Sequence, residues 1–323
     1  MQNSNLFEGL AVQKLAAENP ISYIDIGTRG GFQDDLAPIA FAVDAIGFEP
    51  EKEAFDKIDN ENSGPWRNAK TLPYAVGRLT GKQVLSIPED PVSATLLKPD
   101  PAIGERFKKS QFFNVQKEVE VETRKLDEAL KESGCQFHDY LKIDIEGAEL
   151  EVIAAAPQTV EGLLAVKTEV SFIRQCYDQP LAHDIAAFFN DRGFEIMDMI
   201  EPAHWRREGY VIHPYMSPEK IPYTRAQMVQ ADYLFFRSPE SLDGDVGAKI
   251  RLGLIALATG YFDYALMVFE GPEVADLLET RFSCSPEDIV APASRRYGRK
   301  VHLKAMWQQL RRMVPLLRYL KNY

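Results

Sequence analysis

Short apolar runs, separated by polar segments with helical periodicity, recur along the first 240 residues. The run at 21–26 is rich in β-branched and aromatic residues, which is typical of a buried parallel strand. Further strands are predicted at 41–48, 72–76, 84–87, 118–122, 140–145, 163–170, 195–200 and 232–237. Helices are predicted at 6–17, 148–156 and 181–192. This alternation predicts an α/β fold with a doubly wound, mostly parallel sheet that includes an antiparallel closing strand.

Beyond residue 240 the pattern becomes helical. Two helices, at 248–259 and 262–269, are expected to join at Gly260 and resemble one tetratricopeptide hairpin. A single hairpin does not form a solenoid, because stacking needs about three such units. The sequence therefore divides into an α/β domain at 1–240 and a C-terminal helical extension at 241–323, for which a partner-binding role stays an open alternative.

The last segment carries a second pattern, in which apolar residues at helical spacing lie among basic ones. The apolar positions are Met306, Leu310, Met313, Leu317 and Leu320, which recur at intervals of three and four. Residues 295–323 contain nine Lys or Arg and no Asp or Glu, so an amphipathic helix with a basic face is expected. Docking of this helix onto the acidic rest of the chain is slightly favoured. Contact with the surface of an anionic membrane is the alternative.

The charge of the chain is unevenly distributed. Its 323 residues have a formal net charge of −11, and removing the nine basic charges of the last segment leaves −20 for the rest. A body this acidic repels phosphate backbones, so nucleic acid is not an expected partner. The sequence contains no apolar run of about 18 residues and no secretory leader pattern. A cytoplasmic location is expected, with peripheral contact to the inner membrane through the basic segment as an alternative, and the oligomeric state stays open.

A glycine-rich turn follows the first predicted strand and indicates a nucleotide site. Asp25 lies near the end of that strand and is followed by Gly27 and Gly30, whose backbones can approach a ligand closely. Glu49 ends the next strand, where a carboxylate accepts hydrogen bonds from ribose hydroxyls. A dinucleotide fingerprint has glycine at the position of Asp25, because a carboxylate there would repel the pyrophosphate. The same carboxylate attracts the ammonium and sulfonium groups of S-adenosylmethionine, which is therefore favoured over NAD.

The segment 140–150, YLKIDIEGAEL, resembles the signature of the FkbM family of methyltransferases. Weaker matches follow the family's order along the chain, at 47–50, 73–77, 123–127, 167–170 and 231–237. The resemblance implies a Rossmann-like class I methyltransferase fold, S-adenosylmethionine as cofactor, and O-methylation of a sugar, glycan or small natural product. The cofactor-binding residues are then expected to be Asp25, Gly27, Arg29, Gly30, Glu49, Ala75 and Val76.

The chain departs from the family in the first glycine turn. It has Thr28-Arg29-Gly30 where many members have Ala-Asn-x-Gly. For Arg29, a contact with the methionine carboxylate of the cofactor and a plain surface position stay equally open.

Carboxylates at the ends of two predicted strands are the candidate catalytic groups. Asp144 and Glu146 belong to the end of the strand at 140–145 and, two residues apart on extended chain, are expected to share a face. Glu169 ends the next strand, so the three acids are expected to converge. Asp144 or Glu146 is expected to polarise the acceptor hydroxyl, directly or through a metal, because a hydroxyl is a poor nucleophile near neutral pH. A Mg²⁺ ion held by the same oxygens is an alternative that is not favoured.

Structural roles compete with this catalytic interpretation. Glu146 could cap the following helix, because acids are favoured at a helix N-terminus, and Lys142 could pair with one of the carboxylates. Glu149 is expected to be a solvated residue of the same helix.

The segment 201–225 is a long connection between two strands that are expected to be neighbours. Its aromatic residues suit stacking on a sugar or another ring, so the segment is predicted to be an acceptor lid. The substrate-binding candidates are His204, Trp205, Arg206, Tyr210 and Tyr215. Ordinary loop packing is the alternative. Residues 93–100 are expected to form the opposite wall of the acceptor site.

Two other functions stay open. An NAD-linked oxidoreductase can share this fold, although Asp25 argues against it. A non-catalytic interaction protein can retain the fold, and the helical extension favours this alternative while the carboxylates oppose it.

Overall fold

Strands and helices alternate along the first 240 residues, as the apolar runs predict. The computed structural model describes residues 4–28, 30–52, 55–56, 64–135, 138–207 and 226–320, with the backbone alone at 304, 308 and 311–320. The strands are β1 (Ile21–Ile26), β2 (Val43–Phe48), β3 (Asn68–Leu72), β4 (Ala75–Val76), β5 (Gly81–Pro88), β6 (Val115–Arg124), β7 (Tyr140–Ile143), β8 (Ala165–Ser171), β9 (Phe194–Trp205) and β10 (Gln227–Arg237).

The α-helices are α1 (Ala11–Glu18), α2 (Pro101–Phe107), α3 (Leu126–Ser133), α4 (Glu149–Ala154), α5 (Pro157–Gly162), α6 (Ala182–Asn190), α7 (Val246–Thr259), α8 (Phe262–Phe269), α9 (Pro272–Leu277) and α10 (Pro286–Leu320). A 3₁₀ helix, Asp34–Ala42, makes the crossover from β1 to β2. Shorter 3₁₀ turns lie at Pro91–Ser93, Ser110–Phe112 and Pro239–Leu242, and a π-helical turn lies at Leu278–Phe282.

Within the described residues, seven strands form one sheet in the order β3-β2-β1-β7-β8-β10-β9. The pairs β2–β3, β1–β2, β1–β7 and β7–β8 are parallel, whereas β10 is antiparallel to both β8 and β9. Every residue of β1 is buried, as expected of a strand whose sheet is covered on both faces. The predicted doubly wound, mostly parallel sheet with an antiparallel strand is confirmed.

Successive residues of the central strands point to opposite faces, so the sheet has two cores. On one face, Ile24 and Leu141 pack with residues of α3, α4, α5 and α6. On the other face, Tyr23 and Tyr140 pack with residues of α1, α7, α8 and the first part of α10. The helices beyond residue 240 therefore cover one face of the sheet. The division of the chain at this residue stays a prediction.

The two helices expected after residue 240 form the predicted hairpin, with α7 and α8 joined at Gly260. Gly260 adopts a φ of +95°, which glycine tolerates because it has no Cβ. The helices pack closely where Gly253 of α7 meets the ring of Phe269 of α8. A Cβ atom built at Gly253 would lie 2.2 Å from Cε1 of Phe269.

The single strand predicted at 72–76 is wrong, because two strands of different sheets form there. Asn68–Leu72 is the edge strand of the large sheet, and Ala75–Val76 belongs to a second sheet with the order β4-β6-β5. Pro73 separates them, since proline has no N–H group to continue a ladder. The segment from β4 to β6 therefore forms a small insertion beside the carboxyl edge of the main sheet, whereas α3 packs on the main sheet itself.

The final helix, α10, packs on the body only along its first part. Ile289, Val290 and Ala293 are buried, and Arg296 donates hydrogen bonds to the carbonyl oxygens of Leu6 and Glu8. From 298 to 310, every side chain that the structure describes is exposed. The docking of this basic segment onto the acidic body, which the sequence slightly favoured, is therefore wrong for these residues. None of the helices in the described ranges is long and apolar enough to cross a membrane.

We predict that Gly253→Ala weakens the packing of α7 against α8. The added methyl group would overlap the ring of Phe269, and overpacking of this kind costs about 1–3 kcal/mol. The free energy of unfolding, measured with urea, is expected to fall by that amount. The matched control is Gly298→Ala in α10, where a Cβ atom meets nothing within 4 Å. The control is expected to be neutral or stabilising, and an equal loss in both variants would contradict the packing argument.

Candidate active site

The candidate site lies at the carboxyl edge of the main sheet, where β1 and β7 are neighbours. From β1 the chain crosses to β2 on one side, and from β7 it crosses to β8 on the other. Ligands of open α/β sheets bind at such a switch point. The turns after the two strands approach closely, since a Cβ atom built at Gly27 would lie 2.2 Å from the carbonyl oxygen of Asp144. Glycine is therefore required at this position, where φ is +90°.

A cavity of about 1170 Å³ opens in front of this switch point. Its inner wall comes from the turns after β1, β2 and β7, and its outer wall comes from the small sheet. Most of the predicted cofactor-binding residues line it, namely Gly27, Gly30, Glu49, Ala75 and Val76. Arg29 lies outside the described residues. The volume is sufficient for a nucleotide-sized ligand together with a small acceptor.

Asp25 lies beneath the cavity wall and is completely buried. One of its oxygens, Oδ2, accepts hydrogen bonds from the Tyr23 hydroxyl at 3.0 Å and from the Gln33 N–H at 3.3 Å. Its other oxygen lies 3.6 Å from the ammonium nitrogen of Lys142. Burial raises the pKa of Asp25, and Lys142 opposes that rise. The sequence predicted direct contact between Asp25 and a cationic cofactor, but here the carboxylate orients Lys142 and the Gln33 backbone, which do line the cavity.

Lys142 is the buried cation at the centre of the site. Its Nζ atom lies 3.6 Å from Asp25 Oδ1, 3.6 Å from Asp144 Oδ2 and 3.4 Å from the carbonyl oxygen of Gly27. Burial opposes the charge of Lys142, but the two aspartates outweigh it and the pKa is raised. The sequence suggested that Lys142 pairs with one carboxylate. In the structure it lies between two, Asp25 beneath the cavity wall and Asp144 in the cavity.

Four carboxylates gather beyond Lys142. They are Asp144, Glu146, Glu149 and Glu169. Asp144 and Glu146 line the main cavity, whereas Glu146 and Glu169 line a small adjoining space. Oxygens of Asp144, Glu149 and Glu169 lie within 4.8 Å of one another. The structure therefore brings together all three predicted catalytic residues and adds Glu149.

The expectation that Asp144 and Glu146 share one face of extended chain is wrong. The strand ends at Ile143, and the next residues form a turn in which Glu146 has a φ of +60° and Gly147 a φ of +112°. The turn directs Glu146 between the main cavity and the adjoining space. Burial, together with Asp144 and Glu149, raises the pKa of Glu146 to about 8.

The expectation that Glu149 is solvated is also wrong. Glu149 is buried, and its Oε1 accepts hydrogen bonds from the N–H groups of Ile145 at 2.9 Å and Gly147 at 3.0 Å. These bonds fold the turn back onto the start of α4, the capping position that was considered for Glu146. Burial raises the pKa of Glu149 to about 7, although its backbone hydrogen bonds oppose that rise.

Glu169 lies near the end of β8, as predicted, and is the fourth member of the group. Its Oε1 accepts a hydrogen bond of 2.8 Å from Gln230 of β10. Burial, followed by the charges of Glu146 and Asp144, raises its pKa well above the ordinary value. Hard cations such as Mg²⁺ bind carboxylate oxygens, so Asp144, Glu149 and Glu169 are the residues that could hold one. The same short distances also suit carboxyl groups that share protons.

The small sheet supplies the opposite wall of the cavity. Its apolar contribution comes from Leu85 and Ile87 of β5 and from Val119 and Val121 of β6. The strict alternation of β6 is therefore explained, because its valines face the cavity while its glutamates face solvent. The sequence contained this alternation but did not show where the apolar side would point.

Thr95 connects the small sheet to the turn that carries Glu146. Its hydroxyl donates a hydrogen bond of 2.9 Å to the carbonyl oxygen of Glu146, and its backbone pairs with Ser86 of β5. Ala94, Thr95 and Leu96 line the cavity, so part of the predicted wall at 93–100 does lie there.

The first residues of the predicted acceptor lid form part of a strand. Residues 201–205 belong to β9, and 203–205 pair with β10, with His204 opposite Met228 and Trp205 opposite Gln227. The ring of Trp205 packs against Phe107 and Phe113 at centroid distances of 5.6 and 6.0 Å. The described candidates, His204, Trp205 and Arg206, are not among the residues that line the cavity. Tyr210 and Tyr215 lie outside the described residues, and the substrate-binding role of this segment stays a prediction.

The matches to known proteins agree with this geometry. The chain matches the methyltransferase FkbM domain over residues 25–196, which is more than half of its length. The protein belongs to this family of methyltransferases. Its sheet order, with one antiparallel strand, is that of the Rossmann-like class I methyltransferase fold.

More distant similarities are weak. The 2-O-methyltransferase NoeI of Sinorhizobium fredii (strain NBRC 101917 / NGR234) is 27% identical over 131 residues, which are 38% of this chain and 52% of NoeI. The chain thus spans about half the length of that relative. Precorrin-6y C5,15-methyltransferase from Geobacter metallireducens GS-15 is 10% identical, with a TM-score of 0.32 over 71% of this chain and 87% of the other. An rRNA methylase from Streptococcus thermophilus is 10% identical, with a TM-score of 0.33 over 70% and 93%.

We predict that Lys142→Met strongly destabilises the fold. The variant leaves the charge of Asp25 buried without its cation, and breaking a buried pair in this way costs about 3–5 kcal/mol. Urea unfolding measures the loss. The matched control is the double variant Lys142→Met/Asp25→Asn, which removes both charges and is expected to recover much of the stability. Equal losses in the single and double variants would show that the pair is not what stabilises this edge of the sheet.

Proposed function

We propose that this methyltransferase transfers the methyl group of S-adenosylmethionine to a hydroxyl group of a sugar, glycan or small natural product. The observation that carries the proposal is the pair of acids, Asp144 and Glu146, which border the cavity where β1 and β7 end. The family membership supports methyl transfer. The partial match to a 2-O-methyltransferase supports a hydroxyl acceptor.

The inner wall of the cavity suits an adenosyl ligand. Glu49 at the end of β2 is positioned to accept hydrogen bonds from ribose hydroxyls. Gly27 and Gly30 permit close approach of the ligand to the backbone. Asp144, together with Glu146 where it is ionised, gives this part of the cavity a negative character that complements the sulfonium group. The same charge would repel the diphosphate of NAD, which opposes the alternative of an oxidoreductase.

Methyl transfer is an in-line displacement. The acceptor oxygen forms a bond to the methyl carbon, the bond from that carbon to sulfur breaks, and a neutral thioether leaves. No acid is needed for the leaving group, so the protein mainly orients the two reactants and accepts the hydroxyl proton. Because its pKa is about 8, Glu146 is suited to take that proton. Asp144, whose side chain is 37% exposed, is suited to accept the hydrogen bond that orients the hydroxyl.

The direct test of the proposal is methyl transfer from labelled S-adenosylmethionine to a panel of acceptors. The panel contains monosaccharides, oligosaccharides and hydroxylated natural products, each paired with its deoxy analogue. Incorporation of label that requires one hydroxyl group is expected. Cofactor binding without transfer to any acceptor would favour the alternative of a non-catalytic interaction protein.

We predict that Asp144→Asn keeps the affinity for S-adenosylhomocysteine and loses turnover. The amide keeps the size of the side chain but misplaces the acceptor hydroxyl, and misplacement of about 1 Å costs on the order of 10²-fold in rate. Calorimetry measures binding and label incorporation measures turnover. The control is Glu151→Gln on α4, whose carboxylate pairs with Arg78 at 3.9 Å and which is expected to be fully active. Full activity of Asp144→Asn would remove Asp144 from the reaction.

We predict that kcat/KM rises with pH through about 8 and then levels off. Glu146 can act as a base only when it is ionised, and burial with its acidic neighbours raises its pKa to that value. Glu146→Gln is expected to lower the plateau by about 10²–10⁴-fold and to abolish the rise. The same rise in Glu146→Gln would assign the proton to another group.

A further inference from the structure

Helix α10 extends beyond the body that it helps to build. It runs for 35 residues, and its first part is held by buried Ile289, Val290 and Ala293. Tyr297 makes an edge contact with Phe262 of α8 at a centroid distance of 5.3 Å, near the end of the packed part. The described side chains that follow, from 298 to 310, are exposed. The described side chains of this part of the helix therefore face the surroundings of the protein.

The exposed part has one apolar face. Leu303, Met306, Trp307 and Leu310 are exposed by 55%, 47%, 66% and 51%. A helix turns by about 100° per residue, so these four positions fall within about 100° of its circumference. Four large apolar side chains on one stripe form a contiguous patch, which a solvated helix does not need.

The charge of the same segment is uniformly positive. Residues 295–323 carry nine Lys or Arg and no acid, whereas the rest of the chain has a net charge of −20. Two copies of this segment would bring like charges together at the apolar patch, which opposes self-association. A surface that is negative and also accepts apolar side chains complements it. The surface of an anionic bilayer has both properties.

We propose that the exposed part of α10, residues 298–310, belongs to an interfacial membrane helix that binds the protein to anionic lipid bilayers. Leu303, Met306, Trp307 and Leu310 enter the boundary between headgroups and acyl chains, and the basic residues contact the lipid headgroups. Trp307 is suited to this position, because tryptophan is enriched at membrane–water interfaces. The helix lies in the plane of the surface and does not span the bilayer. The inference does not depend on the proposed methyl transfer.

Vesicle flotation of the full chain tests the inference. The probes are vesicles of phosphatidylcholine alone and vesicles that also contain phosphatidylglycerol. Binding is expected to be roughly tenfold or more stronger to the anionic vesicles and to weaken as salt is raised. No flotation with anionic vesicles, or equal flotation with both compositions, would overturn the proposal.

Two matched variants locate the binding surface. The test variant replaces Leu303, Met306, Trp307 and Leu310 by serine, and is expected to reduce binding to anionic vesicles by roughly tenfold or more. The control variant, Val301→Ser/Ala305→Ser, changes exposed residues on the opposite side of the same helix. The control is expected to bind as the intact protein does. Equal binding by the test variant would overturn the proposal.

Two further measurements keep the result interpretable. Circular dichroism and urea unfolding of both variants are expected to match the intact protein, because the replaced side chains are exposed. If either variant fails to fold, the composition and salt dependence of the intact protein decides. Light scattering measures the oligomeric state without vesicles. A dimer that the test variant converts to a monomer, without flotation of the intact protein, would assign the patch to a second copy and contradict the proposal.

Discussion

The buried ion pair between Lys142 and Asp25 is the constraint on which this edge of the sheet depends. Both side chains are almost fully removed from water, and a buried charge is costly unless a partner and hydrogen bonds compensate it. Asp25 receives that compensation from Lys142, Tyr23 and the Gln33 backbone. The pair thus joins β1, β7 and the glycine turn, the three segments that form the inner wall of the cavity.

The same lysine also contacts the group of four carboxylates that lies beyond it. Lys142 contacts Asp144, which borders the cavity. The other acids of the group lie near the turn after β7, which is held by the hydrogen bonds that Glu149 accepts. The four carboxylates have a larger combined negative charge than one lysine can balance, so burial and mutual repulsion raise the pKa values of Glu146, Glu149 and Glu169. Retained protons relieve part of that repulsion, and a cationic methyl donor is the ligand that would relieve more of it.

The parts of this site that depend on local chain order were predictable. A buried strand that contains Asp25 and is followed by two glycines indicates the first turn. The Lys-x-Asp-x-Glu-Gly signature placed Asp144 and Glu146 at the edge of the sheet, although not in the turn that the structure shows. The burial of Glu149 was not predictable, because a carboxylate in the first turn of a short helix looks solvated until the turn before it is known. The sequence shows Pro73, a residue that interrupts strands. It does not show that the strand after Pro73 pairs in a second, small sheet.

The walls of the cavity were likewise only partly predictable from the sequence. Valine and glutamate alternate along β6 and give it one apolar side, yet the direction of that side toward the cavity depends on β4 and β5 and on Thr95. The aromatic segment after 201 suggested an acceptor lid by composition, whereas its first five residues continue β9. Composition identifies chemistry that is available to a site, but pairing between distant strands decides which side chains reach it.

The proposed site is an acidic cavity that accepts an adenosyl ligand and no diphosphate. Calorimetric titration of the intact protein with S-adenosylhomocysteine and with NAD⁺ tests this claim most directly. Saturable one-to-one binding of S-adenosylhomocysteine, with no heat of binding for NAD⁺, is the expected result. Binding of NAD⁺, or the absence of binding by S-adenosylhomocysteine, would contradict the account.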